Sequence, residues 1–288
     1  MVPLAQPMTA HQIAESLRPT RLVRGWRRSD LLPPVLFAGF CNAAFAEIAW
    51  HVVADGLTAT LLNGLAISVI VWAAFFLGMY WLARGDTRPA TRLDAAVCGA
   101  ALLTFFLPFS KPSWVGLTGL GLYATLTSVR GTDARRGAAL LTAITYPMFW
   151  SKQIFWLLSD KILPIDAVIV ATVTGLTHTG NAILLRGGGQ IFVAPGCSSV
   201  ANISMSLFCW FLFNQYRSRA ARPIDLAWCA GMSLAMVAIN VTRMSLIALH
   251  PERYDLIHGE VGATVASALS TAVTLAVCHF GTRHGDLA

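Results

Sequence analysis

The chain has 288 residues, of which 56% are hydrophobic and only 12% charged, with a mean hydropathy of +0.61 and a formal net charge of +7. An average soluble domain carries about 25% charged residues. The shortage of charge excludes a cytosolic enzyme, a nucleic-acid-binding domain and a small disulfide-framed secreted module, because so much apolar surface needs lipid to face.

In chain order, residues 1–31 are polar and basic, show no cleavable signal pattern, and read as a cytoplasmic tail. Residues 32–283 read as one transmembrane domain. Apolar runs predict spans at about 33–54, 57–83, 93–110, 113–129, 137–158, 198–216, 223–249 and 260–280. The stretch 163–179 is different: Ile165, Val168, Ile169, Val173 and Leu176 fall at helical spacing, while Asp166, Thr174, Thr177 and His178 interrupt it. That pattern predicts an amphipathic helix lying on the membrane surface. The expected fold is an all-α polytopic helical bundle of about eight spans plus this outer-face helix.

Positive charge sets the orientation. With the N-terminus inside, fifteen of the 21 Lys and Arg residues fall in cytoplasmic segments, including the Arg18–Arg28, Arg130–Arg136 and Arg217–Arg222 groups. The outer side keeps Lys111, Lys152, Lys161, Arg186, Arg243 and Arg253. This is the positive-inside bias, and it accounts for the net charge without a nucleic-acid partner. Residues 159–197 then form a long outer connection; its Gly187-Gly188-Gly189 reads as a flexible link, since no Lys-Ser/Thr follows to make a phosphate loop.

Five cysteines (Cys41, Cys98, Cys209, Cys229 and Cys278) sit inside expected spans and read as small buried apolar groups. Cys197 follows Ala194-Pro195-Gly196 where the chain enters the sixth span on the outer side. Cys209, twelve residues on and about 18 Å away along one helix, is beyond disulfide reach. A thiol at a helix N-terminus has unpaired N–H groups and the helix dipole to favour its thiolate. Arg243 lies within the seventh span, where a charge is costly unless it snorkels or faces a polar cavity. Asn240, one turn earlier, makes a polar strip with it and favours the cavity. His258 opens the eighth span in His258-Gly259-Glu260-Val261-Gly262; alone it reads as a solvated loop histidine. The Gly259, Ala263, Ser267 and Thr271 series gives that helix a small-residue face expected to pack closely and bring His258 toward the other two. Thiolate, imidazole and guanidinium at similar depth are the equipment of acyl transfer at a peptide bond. Ser198 and Ser199 lack a Gly-x-Ser-x-Gly elbow and read as helix caps. Glu47 and His51 share a helical face without further ligands nearby, so neither a metal nor an organic cofactor is expected.

At these residues the sequence resembles the exosortase/archaeosortase family of multi-spanning cysteine transpeptidases. The likeness rests on Ala194-Pro195-Gly196-Cys197-Ser198, on Asn240-x-x-Arg243 in the next span and on His258-Gly259 opening the last; Ser199 stands where members usually carry glycine. It implies a protease/transpeptidase in the bacterial inner membrane, with its site on the outer, periplasmic face and a link to exopolysaccharide or surface-protein export. It also implies a substrate ending in a Pro-containing motif, an apolar helix and a basic cluster. By the same likeness Cys197 is the nucleophile, Arg243 steadies the oxyanion, and His258 is the acid and base, with Asn240 and Ser198 in support. The acceptor is water or an amine on a lipid or surface polymer. The rival expectation is a non-catalytic membrane component of a polysaccharide or secretion assembly, with Asn240 and Arg243 as packing glue. A solute transporter would need paired half-helices and repeat symmetry, which the sequence does not display.

Overall fold

A computed structural model describes residues 25–283; the larger part of the basic tail, residues 1–24, lies outside the described residues. Helix dominates, as expected. Three helices, Arg28–Asp55, Ile224–Leu249 and Glu260–Arg283, are long and apolar enough to cross a bilayer, and Val69–Gly85 is a shorter apolar helix. The described residues divide into two compact units, one comprising 25–68 together with 76–142, the other 69–75 together with 143–283.

In the first unit α1 (Arg28–Asp55) begins five residues before the expected span, because the Asp30 carboxylate accepts from the Arg27 N–H and starts the helix there. The expected span 57–83 is broken. After α2 (Leu57–Leu62) a short 3-10 turn at Gly64–Ala66 precedes α3 (Val69–Gly85). Gly56 and Gly64 take positive φ, followed by Leu65 and Ala66 at 60° and 59°, a left-handed run that no continuous helix accommodates. α4 (Arg92–Phe105) opens on a capping box between Thr91 and Asp94. α5 (Ser110–Thr127) packs on α1 and α4. α6 (Asp133–Thr145) crosses α3 at glycines: a Cβ on Gly137 would press on the Gly78 carbonyl and the Leu82 amide. Small residues bring the two backbones together there.

A buried ionic clasp ties this unit. Arg28 pairs with Asp86 at 3.3 Å and with Asp94 at 3.0 Å, and its remaining donors reach Thr127. Arg88 adds a two-pronged contact to Asp86, and the Tyr123 hydroxyl donates to Asp94. Arg28, Asp86 and Asp94 are each at most 4% exposed. Burial works to raise the Asp86 carboxyl, but hydrogen bonds from Arg88 and the charges of Arg28 and Arg88 outweigh it and hold the group below the ordinary carboxylate range.

In the second unit a π-helical turn, Tyr146–Trp150, precedes α7 (Ser151–Thr174). Pro147 has no N–H to donate, so the widened turn falls there, and the Ser151 hydroxyl caps the Pro147 carbonyl. The expected break between 158 and 163 does not occur; one helix runs through Pro164. Its faces follow the expectation only in part. Ile169 and Leu176 pack against the core and Thr177 and His178 are exposed, as expected, but Ile165, Val168 and Val173 point outward while Asp166 and Thr174 are buried with Leu163, Ala167 and Val170.

The long connection is not structureless. Strands β1 (Thr177–Thr179), β2 (Ala182–Leu184) and β3 (Gln190–Phe192) form a small antiparallel sheet that an all-helical reading left out. Gly187-Gly188-Gly189 turns β2 into β3, with Gly188 and Gly189 at φ 87° and 85° and a hydrogen bond from the Leu185 N–H to the Gly189 carbonyl, so it is a hairpin turn and not a loose link. A 3-10 turn at Pro195–Cys197 then leads to α8 (Val200–Tyr216). α9 (Ile224–Leu249) follows; Arg219, bonded to Asn214 and Asp225, fastens the connection between α8 and α9. A single turn, α10 (Tyr254–His258), precedes α11 (Glu260–Arg283). On α11 the Ala263, Ser267 and Thr271 positions are exposed, and the packed face is the neighbouring series Ser270, Thr274, Cys278 and Thr282. The expected small-residue face therefore does not carry the packing.

Candidate active site

The site stands at one end of the second unit's core, where Leu163, Ala167 and Val170 of α7 meet Val241, Met244 and Ile247 of α9 around Cys197. The sheet delivers the chain to this point. Val193, fully buried just after β3, donates its N–H to the Asn181 carbonyl at 2.9 Å and accepts from the Asn181 side chain at 3.2 Å. That double tie fixes where Ala194-Pro195-Gly196 begins, and the 3-10 turn closes through the Cys197 N–H onto the Ala194 carbonyl.

Cys197 is 7% exposed, and its Sγ lies 3.7 Å from Nε2 of His258. These side chains are 61 residues apart in sequence, and the contact is in range for a thiol–imidazole proton exchange. The thiol is three residues ahead of the first helical residue, Val200, so its partner is the imidazole and not, contrary to expectation, the amides of the helix start. Asn240 is buried and donates its side-chain N–H to the Cys197 carbonyl at 2.7 Å, which pins the peptide carrying the sulfur.

Arg243 reaches the same group by another route. Its Nε donates to the Ile257 carbonyl at 3.2 Å and one Nη to the His258 carbonyl at 2.9 Å. A cation on the last carbonyls of α10 satisfies acceptors that a helix leaves unpaired and meets the negative end of its dipole. In this arrangement the guanidinium holds the backbone of His258 and keeps its second Nη group for other use. Two features that sequence reading missed finish the support of the imidazole. Tyr254, one helical turn earlier, stacks on the His258 ring at 4.8 Å between centroids and 10° between planes. A Cβ on Gly262 would collide with the Ile257 carbonyl, and one on Gly259 with the Asp255 carbonyl, so the tight passage from α10 into α11 requires both glycines. The i, i+4 spacing of Tyr254 and His258 was the available signal for the stack.

The Ser198 hydroxyl makes no hydrogen bond to the sulfur. Ser198 is 7% exposed, as is Asp166 of α7, and the two side chains adjoin each other. Burial pushes the Asp166 carboxyl above its ordinary range while the Ser198 hydroxyl pulls the other way. Neither Ser198 Oγ nor Asp166 Oδ2 closes a hydrogen bond of ordinary geometry. Neither serine caps α8 through its side chain, contrary to expectation: Ser199 occupies the cap position but accepts nothing there. In the first unit, the His51 imidazole contacts the Asp55 carboxylate at 2.8 Å. Among the described residues no three His, Cys, Asp or Glu side chains gather as metal ligands.

Comparison of the chain with protein-family models, with curated proteins and with solved structures finds no match. What this centre does is therefore read from its own geometry.

Proposed function

We propose that the protein is a membrane-embedded cysteine endopeptidase/transpeptidase that cleaves the C-terminal sorting signal of exported proteins. The observation that carries this reading is the 3.7 Å approach of Cys197 Sγ to His258 Nε2 beside a guanidinium. In the reaction, His258 Nε2 takes the thiol proton and the sulfur adds to the scissile carbonyl, forming a C–S bond and an oxyanion. The uncommitted Nη group of Arg243 is the donor left to steady that oxyanion. As the carbonyl re-forms, the C–N bond breaks and the imidazolium gives its proton to the departing amine. Water or an amine then adds to the thioester, His258 accepts its proton, and the C–S bond breaks to return the thiol.

In this proposal the chain crosses the bacterial inner membrane about eight times, its N-terminus cytoplasmic and its site on the outer face. The sorting-signal helix reaches the site through the lipid, and a lipid or surface polymer supplies an amine acceptor. The fifteen-to-six distribution of Lys and Arg supports that orientation.

One observation favours the rival, a non-catalytic component of a polysaccharide or secretion assembly: Arg243 spends two of its donor groups on carbonyls, as packing glue would. Co-expression with a protein ending in a Pro-containing motif, an apolar helix and basic residues separates the two. Cys197→Ala is expected to abolish cleavage at normal protein level, with a substrate-sized thioester trapped on the wild type; intact cleavage in Cys197→Ala overturns the enzyme.

A further inference from the structure

The backbone at Cys197 is held by its own turn and by Asn240, but Ser198 beside it has a hydroxyl with no partner. Asn240 holds the Cys197 carbonyl from α9. The Ser198 hydroxyl and the Asp166 carboxyl meet in the packed interior without completing a bond. Native interiors rarely leave two adjoining polar atoms unmatched, because each retains its desolvation cost. Asp166 shares its helix face with Leu163, Ala167 and Val170, which form the wall around Cys197. Among the described residues no ion pair is formed by Asp166.

We propose that Asp166 is a positioning residue for the nucleophile, acting through Ser198: the two side chains pair and tie the start of α8, and with it Cys197, to α7. The carboxyl takes part as the neutral acid, its O–H donating to the Ser198 hydroxyl oxygen. One proton thereby satisfies both orphaned atoms and places no negative charge beside the sulfur, where it would oppose the thiolate. The pair is thus the counterpart of Asn240, and the two tethers together set the distance from Sγ to His258. Asp166 touches no reacting atom in this scheme.

This inference rests on the cysteine peptidase reading, and its test separates the two. Full-length protein in detergent micelles is assayed for cleavage of the sorting-signal substrate, and Cys197 alkylation by iodoacetamide is followed by peptide mass mapping. Asp166→Ala and Ser198→Ala are each expected to lower kcat by about ten-fold, the order of one lost hydrogen bond, with KM within two-fold. Asp166→Asn, whose amide N–H donates to the same hydroxyl, is expected to keep kcat within two-fold of wild type. The Asp166→Ala/Ser198→Ala double variant should be no slower than the worse single one, because both remove the same pair. The alkylation rate should change by one common factor in Ala/Ala combinations and not at all in Asp166→Asn. Losses that multiply, an Asn variant as poor as the Ala variant, or an unaffected Asp166→Ala each overturn the proposal. Should Asp166→Ala not fold, Ser198→Ala is placed in the Asp166→Asn background, where a ten-fold loss supports the pair and no loss overturns it. If instead Cys197→Ala still cleaves, the peptidase reading fails, and the alkylation pattern continues to decide whether the Asp166–Ser198 pair positions the thiol.

Discussion

Two buried polar assemblies in this protein differ in how their charges are paired, though each leaves buried polar atoms without a hydrogen bond: Arg28 Nε in the first, Ser198 Oγ and Asp166 Oδ2 in the second. Around Arg28, two carboxylates, a second arginine, a threonine and a tyrosine meet so that each charge faces an opposite one, with contacts between 2.5 and 3.3 Å. Around Cys197 the central contact is a 3.7 Å approach of sulfur to imidazole, and Asp166 and Ser198 each leave a polar atom unmatched. A set of paired charges resists change, because removing one of its ions strands the opposite buried charge. A set without that pairing retains capacity for a reacting group and depends on its packing to stay in place. The first assembly reads as a fastening and the second as a working site. That contrast has consequences that can be measured separately as folding and as turnover.

The largest expected effect lies in turnover alone. Cys197→Ala or His258→Ala should lower cleavage by about 10⁴-fold or more, the scale seen when nucleophile or base is removed, while the unfolding midpoint in detergent stays near wild type. A comparable collapse of stability would erase the distinction between the two assemblies. Next in size, Arg28→Ala should destabilise the fold by ~3–5 kcal/mol, since it leaves Asp86 and Asp94 buried without their shared cation; chemical denaturation reads this, and the cleavage rate per folded molecule should not change. Arg243→Ala should reduce cleavage by about 100-fold. Arg243→Lys should recover only part of that, because an ammonium cannot span the Ile257 and His258 carbonyls and still offer an oxyanion donor. A full recovery by lysine would reduce the residue to a point charge.

The smallest effect is one of pH. Asp86 is held below its ordinary range, so its stabilising contribution is complete above ~pH 5, where the unfolded carboxyl is ionised, and is lost as pH falls through the lower folded value. A thermal-shift series from pH 7 to pH 3 should show the midpoint dropping only at the acidic end, and Arg28→Ala should flatten that drop. An unchanged profile in the variant would mean that the clasp is not what ionisation supports.

Composition and residue order carried a good deal by themselves. Scarce charge and long apolar runs predict helices that meet lipid, since neither an apolar surface nor an unpaired backbone is tolerated in the wrong solvent. A thiol, an asparagine with an arginine one turn later, and a His-Gly pair marked the residues that the fold brings together, because those side chains are costly or reactive wherever they sit. Tertiary structure alone decided the rest. Which face of α11 is buried could not be read from hydrophobicity, and on α7 only partly, because outward residues such as Ile165 and Val265 are apolar while the interior holds Asp166, Ser270 and Thr274. The strands at 177–192 are three residues each, too short for a periodic signal, and are defined by pairing. The attachment of Arg243 to carbonyls fourteen and fifteen residues away, and the approach of Cys197 to His258, depend on helix crossings and connections over long sequence separations, where local pattern has no bearing.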